Sequence, residues 1–378
     1  MLIAGSAPLQ WRIFVDHTTH ERHWSGALPA KTMTTAVSIS NGGFALNGTP
    51  TYPGRSWKGH RIEGLLFNSR MANAIADDEN PATRGAWAYA DGDWDAERST
   101  REFIAALPSY RAHGLLGVCL NLQGGSPQGY SWHQPWKICG FTPEGAIKPA
   151  WAARLANVIA ACDRLGMAVV LGLFYGKQSG TLKDEGAVKT AVTNTVDWLI
   201  ERGATNVLIE IGNEIDLENA FAHPIITTAR CHELIDLAKK RSQGRLLVST
   251  SLIMRDAPPP AILASADFLL PHGNRIHGPN AATQPSPHGI RLQVINWRSG
   301  KGYRGQPIVY NEDDHFEFDK SDNHFVAAVE SGASWGFFDY RMSRERFDDG
   351  FQSLPVDWTI SSVRKRGFFG LLKEITGA

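Results

Sequence analysis

Two glutamates in this sequence each end an apolar run. Asn213 and Glu214 close the run that begins at Val207, and Asn311 and Glu312 close the one that begins at Pro307. If both runs are buried strands of one sheet or barrel, both carboxyl groups project at the same rim. Glycoside hydrolysis needs two carboxyl groups in different states. One must be protonated to give its proton to the leaving oxygen, and the other must be ionised to attack carbon or to activate water. Surroundings of different polarity and charge keep the two pKa values apart. The separation decides the stereochemistry, with about 5–5.5 Å supporting retention and about 6.5–9.5 Å supporting inversion.

The elements that must position these residues are readable as a repeat of apolar run, polar loop, amphipathic stretch and glycine. Strand candidates fall at 62–67, 115–122, 167–174, 207–211, 246–251, 268–271, 308–310 and 334–340. Several are hydrophobic almost without interruption, as strands buried on both faces must be. Between them, Trp151, Leu155, Val158, Ile159, Cys162 and Leu165 recur at helical spacing before Gly166, and Val188, Val192, Val196 and Leu199 do so before Gly203. Cys231, Leu234, Ile235 and Ala238 precede Gly244 in the same way, and Phe325, Val326 and Val329 precede Gly332. Eight strands alternating with helices predict a closed α/β barrel, the (β/α)₈ or TIM fold, over residues 61–378. No GxGxxG or phosphate-binding loop supports an open dinucleotide-binding sheet. Pro108 lies within the helical pattern of Phe103, Leu107 and Tyr110 and predicts a kink or an early end there. Residues 1–60 read as β and turn, with strand candidates at 11–15 and 32–39 and a hairpin signal at Asn47-Gly48. They are expected to pack on the barrel as a cap, leaving one compact domain overall.

Composition narrows the function classes. The 378 residues carry 38 basic and 38 acidic side chains, a balance without electrostatic bias toward nucleic acid or anionic membranes. No run of about 18 apolar residues is present, so no membrane span is expected. The start of the sequence has neither a basic region nor a long apolar stretch, which reads as cytoplasmic, or as secreted if a signal has been removed. Cys119, Cys139, Cys162 and Cys231 form no CxxC pair and read as buried thiols. Trp57, Trp87, Trp94, Trp132 and Trp136 lie in loop-like segments, where an indole either stacks on a sugar ring or plugs the loop against the barrel.

Asn213-Glu214 at the end of the fourth strand and Glu312 at the end of the seventh resemble glycoside hydrolase clan A, from Phe44 to the C-terminal helix. The resemblance implies a retaining hydrolase of β-glycosidic bonds in an oligo- or polysaccharide, with Glu214 as acid/base and Glu312 as nucleophile. It also implies that Asn213 bonds the sugar 2-hydroxyl, a contact that strengthens in the transition state. The segment around Phe44 is similar to the hairpin that precedes the first strand in this clan. Three positions depart from the clan pattern. Clan members commonly carry a tyrosine at the end of the sixth strand, where this sequence has His272. Trp335 lies near the start of the eighth strand rather than at its mouth, and is expected in the core. The second strand ends in Asn121 and Gln123 without the arginine of some clan families.

Further substrate contacts are expected from His272, Asn121, Gln123, Tyr175, Tyr340 and Trp136. Glu210, inside the fourth strand, is expected to be structural and to need a partner if buried. Asp313 beside Glu312 would raise the carboxyl's pKa unless it points away. Arg55, Lys58, Arg61 and Arg70 surround the first strand, either as surface charges or as a site for an acidic sugar. No metal or other cofactor is expected, and a carbohydrate is the expected partner. A carbohydrate-binding barrel without turnover is the alternative. A metal-dependent hydrolase built on His272, Asp313, Asp314 and His315 ranks behind both.

Overall fold

The structure, a computed structural model, describes residues 33–124, 135–217, 219–274, 286–339 and 356–378. The strand candidate at 11–15, Trp132 and Tyr340 lie outside the described residues.

The barrel closes. Six parallel strands run side by side, with Leu247–Ser249 beside Val207–Asn213, then Ala168–Tyr175, Gly117–Asn121, Asn68–Arg70 and Gly336–Phe337. The fifth strand continues into Ser251–Leu252, which pairs in parallel with the sixth, Leu270–Pro271. Single parallel bridges complete the ring, Leu269 to Ile308 and His272 to Glu312 on one side of the seventh strand, Val309 to Ser334 and Asp313 to Phe337 on the other. A helix follows each strand, from Ala96–Ala112 after the first to Val363–Thr376 after the eighth. Helix starts follow the sequence signals. Asp95, Asp184, Ser286, Asn323 and Ser362 each accept a backbone N–H of the first turn. Among the described residues no helix is long and apolar enough to cross a membrane.

The first strand corrects the sequence reading. It is not 62–67 but Asn68–Arg70, the segment just beyond. The apolar run before it enters the barrel from below, and polar Asn68 and Arg70 form the strand itself. The helix does not end early at Pro108 but continues to Ala112. Phe103, Leu107 and Tyr110 are buried on one face of it, so packing outweighs the lost N–H.

Side chains alternate along the strands, and the inward set divides into two layers. The lower layer is apolar and includes Leu66, Leu116, Val170, Leu208, Phe268 and Leu270. Phe44, from the hairpin Val37–Ser40 and Gly43–Leu46, seals it from beneath and packs edge-on to Phe268 at 6.1 Å between ring centres. The hairpin therefore contributes to the barrel's interior core. The upper layer is polar and includes Asn68, Arg70, Asn121 and Glu210, all buried. Gly172 makes room for it, since a Cβ there would lie 2.7 Å from the Asn121 amide and 3.4 Å from Glu210 Oε2.

Candidate active site

The C-terminal ends of the strands bring Glu214, His272 and Glu312 together, all buried. One carboxylate oxygen from each glutamate and one ring nitrogen of the histidine lie within 4.8 Å of one another. His272 Nδ1 is 3.0 Å from Glu214 Oε1 and 3.7 Å from Glu312 Oε2. Its backbone is fixed on both sides, by its own N–H to Leu252 O and by Gly273 N–H to Glu312 O, each 2.9 Å.

Glu214 does not continue its strand. Its φ is 54°, in the left-handed region that non-glycine residues seldom occupy. Its N–H donates to Ser251 Oγ at 3.0 Å, and Ile215 N–H donates to Ser251 O at 3.1 Å. The fifth strand thus holds the turn that points Glu214 over the barrel, a local strain of the kind found at functional sites.

Glu312 faces a hydrogen-bond donor and a cation. Asn274 Nδ2 donates to its Oε1 at 2.7 Å, and Arg70 Nε is 2.7 Å from its Oε2. The same guanidinium reaches Glu210 Oε2 at 3.2 Å and donates to Asn213 Oδ1, the side-chain amide oxygen. Asn311 Nδ2 also donates to Glu210 Oε2, at 3.1 Å. With its amide turned to satisfy both ends, Asn121 donates to Leu120 O at 3.0 Å and accepts from Arg70 Nη2 at 3.3 Å. Arg70 is thus neither a surface charge nor part of a separate anion site. It is the buried partner that Glu210 was expected to need. Arg55 instead donates to the carbonyls of Ile375 and Glu374, Arg61 pairs with Glu63, and Lys58 lies over the Trp57 ring.

Burial is the largest influence on Glu312 and raises its pKa, with Glu214 and Glu210 adding to it and His272 and Arg70 opposing. His272 is raised as well. Its own burial pulls it down, but Glu312 and Glu214 together outweigh burial and Arg70. The charge on each of these groups therefore bears on the other.

Asp313 points away from the pair. Its carboxylate accepts from His315 Nδ1 at 2.6 Å, His324 Nδ1 at 2.8 Å and Trp335 Nε1 at 3.0 Å. Trp335 is in the core as expected, stacked on Phe325. The residues of the metal-dependent reading are not brought together. His272 belongs with Glu214 and Glu312, whereas Asp313 and His315 cluster with His324.

The remaining expected contacts divide. Asn213 and Tyr175 are neighbours in register at the ends of the fourth and third strands, and Asn121 lies beneath in the polar layer. Gln123 is turned into the structure. Its amide donates toward Cys139 Sγ, Gln178 O and Thr181 Oγ1, and its oxygen accepts from Tyr175 N–H. Trp57, Trp87, Trp94 and Trp136 are all buried, so these indoles plug loops rather than present open platforms. The four cysteines are free and buried.

Sequence reasoning missed Arg70 and Asn274 as neighbours of the glutamates. The placement of the first strand hid Arg70. No signal marked Asn274, whose role depends on the turn after His272.

No protein-family model matches the sequence, and no curated protein sequence matches it. Solved structures do share its fold. An endo-1,4-β-mannanase from Rhizomucor miehei aligns with a TM-score of 0.55 at 12% identity, covering 91% of this chain and 100% of that one. A β-mannanase from the blue mussel Mytilus edulis aligns with a TM-score of 0.52 at 13% identity, covering 90% and 96%. A GH5-4 broad specificity endoglucanase from Bacteroides salanitronis gives 0.51 at 12% identity, covering 82% and 93%. At these identities the likeness establishes the fold. The chain has the (β/α)₈ barrel that these glycoside hydrolases have, the fold implied by the resemblance to clan A.

Proposed function

We propose that this chain is a retaining glycoside hydrolase that cleaves β-glycosidic bonds in an oligo- or polysaccharide. The observation that carries the reading is the approach of Glu214 and Glu312, with carboxylate oxygens within 4.8 Å across the barrel mouth. That close approach supports the retaining arrangement, in which the two carboxyl groups stand about 5–5.5 Å apart, over the wider inverting one. The barrel neighbours described above, two mannanases and an endoglucanase by name, support the same reaction class.

Two contacts of Glu312 support an assignment of roles. Arg70 and Asn274 aim a cation and an N–H at Glu312, which favours its ionised form and its use as nucleophile. Glu214 then keeps the proton of the pair and acts as acid/base. In the first step a Glu312 oxygen bonds to the anomeric carbon, the bond to the leaving oxygen breaks, and the Glu214 proton passes to that oxygen. In the second step water gives a proton to Glu214 and attacks the anomeric carbon, and the ester to Glu312 breaks. Asn213, held by Arg70, is placed to bond a sugar hydroxyl beside Glu214, with Tyr175 next to it.

A panel of 2-deoxy-2-fluoro β-glycosides tests the reading. A covalent label mapped by mass spectrometry to Glu312 supports it. Labelling at another residue reassigns the nucleophile. Sugar binding with neither labelling nor product from a glycan library favours a binding protein without turnover.

A further inference from the structure

Three carboxyl groups, Glu210, Glu214 and Glu312, meet in the upper barrel. Arg70 touches two of them, at 3.2 Å from Glu210 and 2.7 Å from Glu312. One guanidinium leaves a buried surplus of negative charge, which is costly. A second cation at His272, together with one proton on the glutamate pair, brings the cluster to neutrality. The position of the ring fits that count. Nδ1 faces both glutamates and hydrogen-bonds the nearer, and Nε2 has no hydrogen-bond partner among the described residues. Among the described residues, the carboxylates that face the ring are those of the two catalytic candidates.

We propose that His272 is a positioning residue that works as an imidazolium, donating Nδ1–H to Glu214 while its charge holds Glu312 ionised, and so sets the pH window in which the pair is competent. The proposal rests on the hydrolase reading above. It differs from a neutral hydroxyl at this position, which would orient a carboxylate without contributing charge.

Arg70 opposes the charge on His272, and Glu312 and Glu214 favour it. Glu210 stands behind Arg70. On the second strand, burial pushes the Cys119 thiol far up, so it stays neutral. Asp313 is turned to the other side of its strand and held by His315 and His324. The raised affinity of His272 for its proton agrees with the geometry.

Removing the imidazolium removes a cation from beside both glutamates, so both must bind protons more tightly. His272→Gln is expected to move both limbs of the kcat/KM profile to higher pH, by about one pH unit or more, as expected for losing an opposite charge at this distance. A phenyl β-glycoside of the sugar that labels Glu312 is the substrate, because its poor leaving group keeps the Glu214 proton in the rate. In parallel, ¹⁵N NMR of the wild-type imidazole should give a midpoint above about 6.5 that falls in Glu214→Gln. The NMR measurement stands even where His272→Gln does not fold. An imidazole that titrates at or below the ordinary value overturns the proposal. So does a variant that is slower with unmoved limbs, which marks a packing role only. Failure to label Glu312 removes the hydrolase reading and this inference with it. Labelling with unmoved limbs removes the inference alone.

Discussion

Arg70 Nε lies 2.7 Å from Glu312 Oε2, yet the two residues stand on strands that are not neighbours. The eighth strand, Gly336–Phe337, runs between them and pairs with both, at Phe337 to Ser69 and at Phe337 to Asp313. Arg70 spans that gap inside the barrel because its own side chain is fully buried, with Glu210 and Asn213 fixing the rest of the guanidinium.

Breaking this pair should cost more than a surface ion pair would. Arg70→Met leaves Glu210 and Glu312 without the cation between them, and removing one partner of a buried pair costs about 3–5 kcal/mol. Denaturant unfolding at neutral pH should show a loss of that order. Arg70→Lys keeps the charge but not the fork that reaches several acceptors, so it should recover part of the stability and little activity. A stability change under about 1 kcal/mol in Arg70→Met, the range of exposed pairs, would mean the ion pair is not buried as described.

Leaving-group dependence separates the two glutamates. Glu214→Ala should slow a phenyl β-glycoside by about 10²–10⁴ while sparing a 2,4-dinitrophenyl glycoside in the first step, because only the poor leaving group needs a proton. Equal losses on both substrates would remove Glu214 from the acid role.

Azide rescue gives a stereochemical reading of the same assignment. In Glu312→Gly, azide occupies the place of the missing carboxylate and should yield the α-glycosyl azide from an activated β-glycoside. In Glu214→Ala, azide should attack the intermediate on Glu312 and yield the β-glycosyl azide. Exchanged products would exchange the roles.

The legible and the hidden parts of the site differ for a physical reason. Glu214 and Glu312 could be found because each ends a long apolar run, and a strand buried on both faces announces its own end. The helices were legible from their spacing and terminal glycines. The first strand was not, because its inward positions are Asn68 and Arg70, whose polarity reads as loop until the polar layer that receives them is known. Arg70 was hidden with it. Trp136 misled in the opposite direction, since loop composition says nothing about whether the loop folds back over its own indole. The position of Asp313 relative to Glu312 follows from strand alternation, which sends neighbouring side chains to opposite faces.

Asp313 has two histidines and a tryptophan as donors. Burial pushes its carboxyl up, but His324 and His315 outweigh that and hold it well below the ordinary range. A depressed carboxyl contributes stability above its unfolded pKa of about 3.9 and loses it as pH falls toward the folded value. His315 has the opposite sign. Burial pulls it down, Asp313 more than restores it, and its pKa is raised. Its contribution is complete below about pH 6.5, the unfolded value, and is lost as pH rises through the folded one. Thermal unfolding followed from pH 5 to 9 should therefore show a decline on the alkaline side that His315→Gln flattens, because the variant has no proton to lose there. Asp313→Asn should flatten the same limb by removing the charge that raises His315, and should also lower stability at its maximum, since the tightly held carboxylate is gone. An alkaline decline of equal slope in wild type and His315→Gln would show that His315 keeps no extra affinity for its proton in the folded chain.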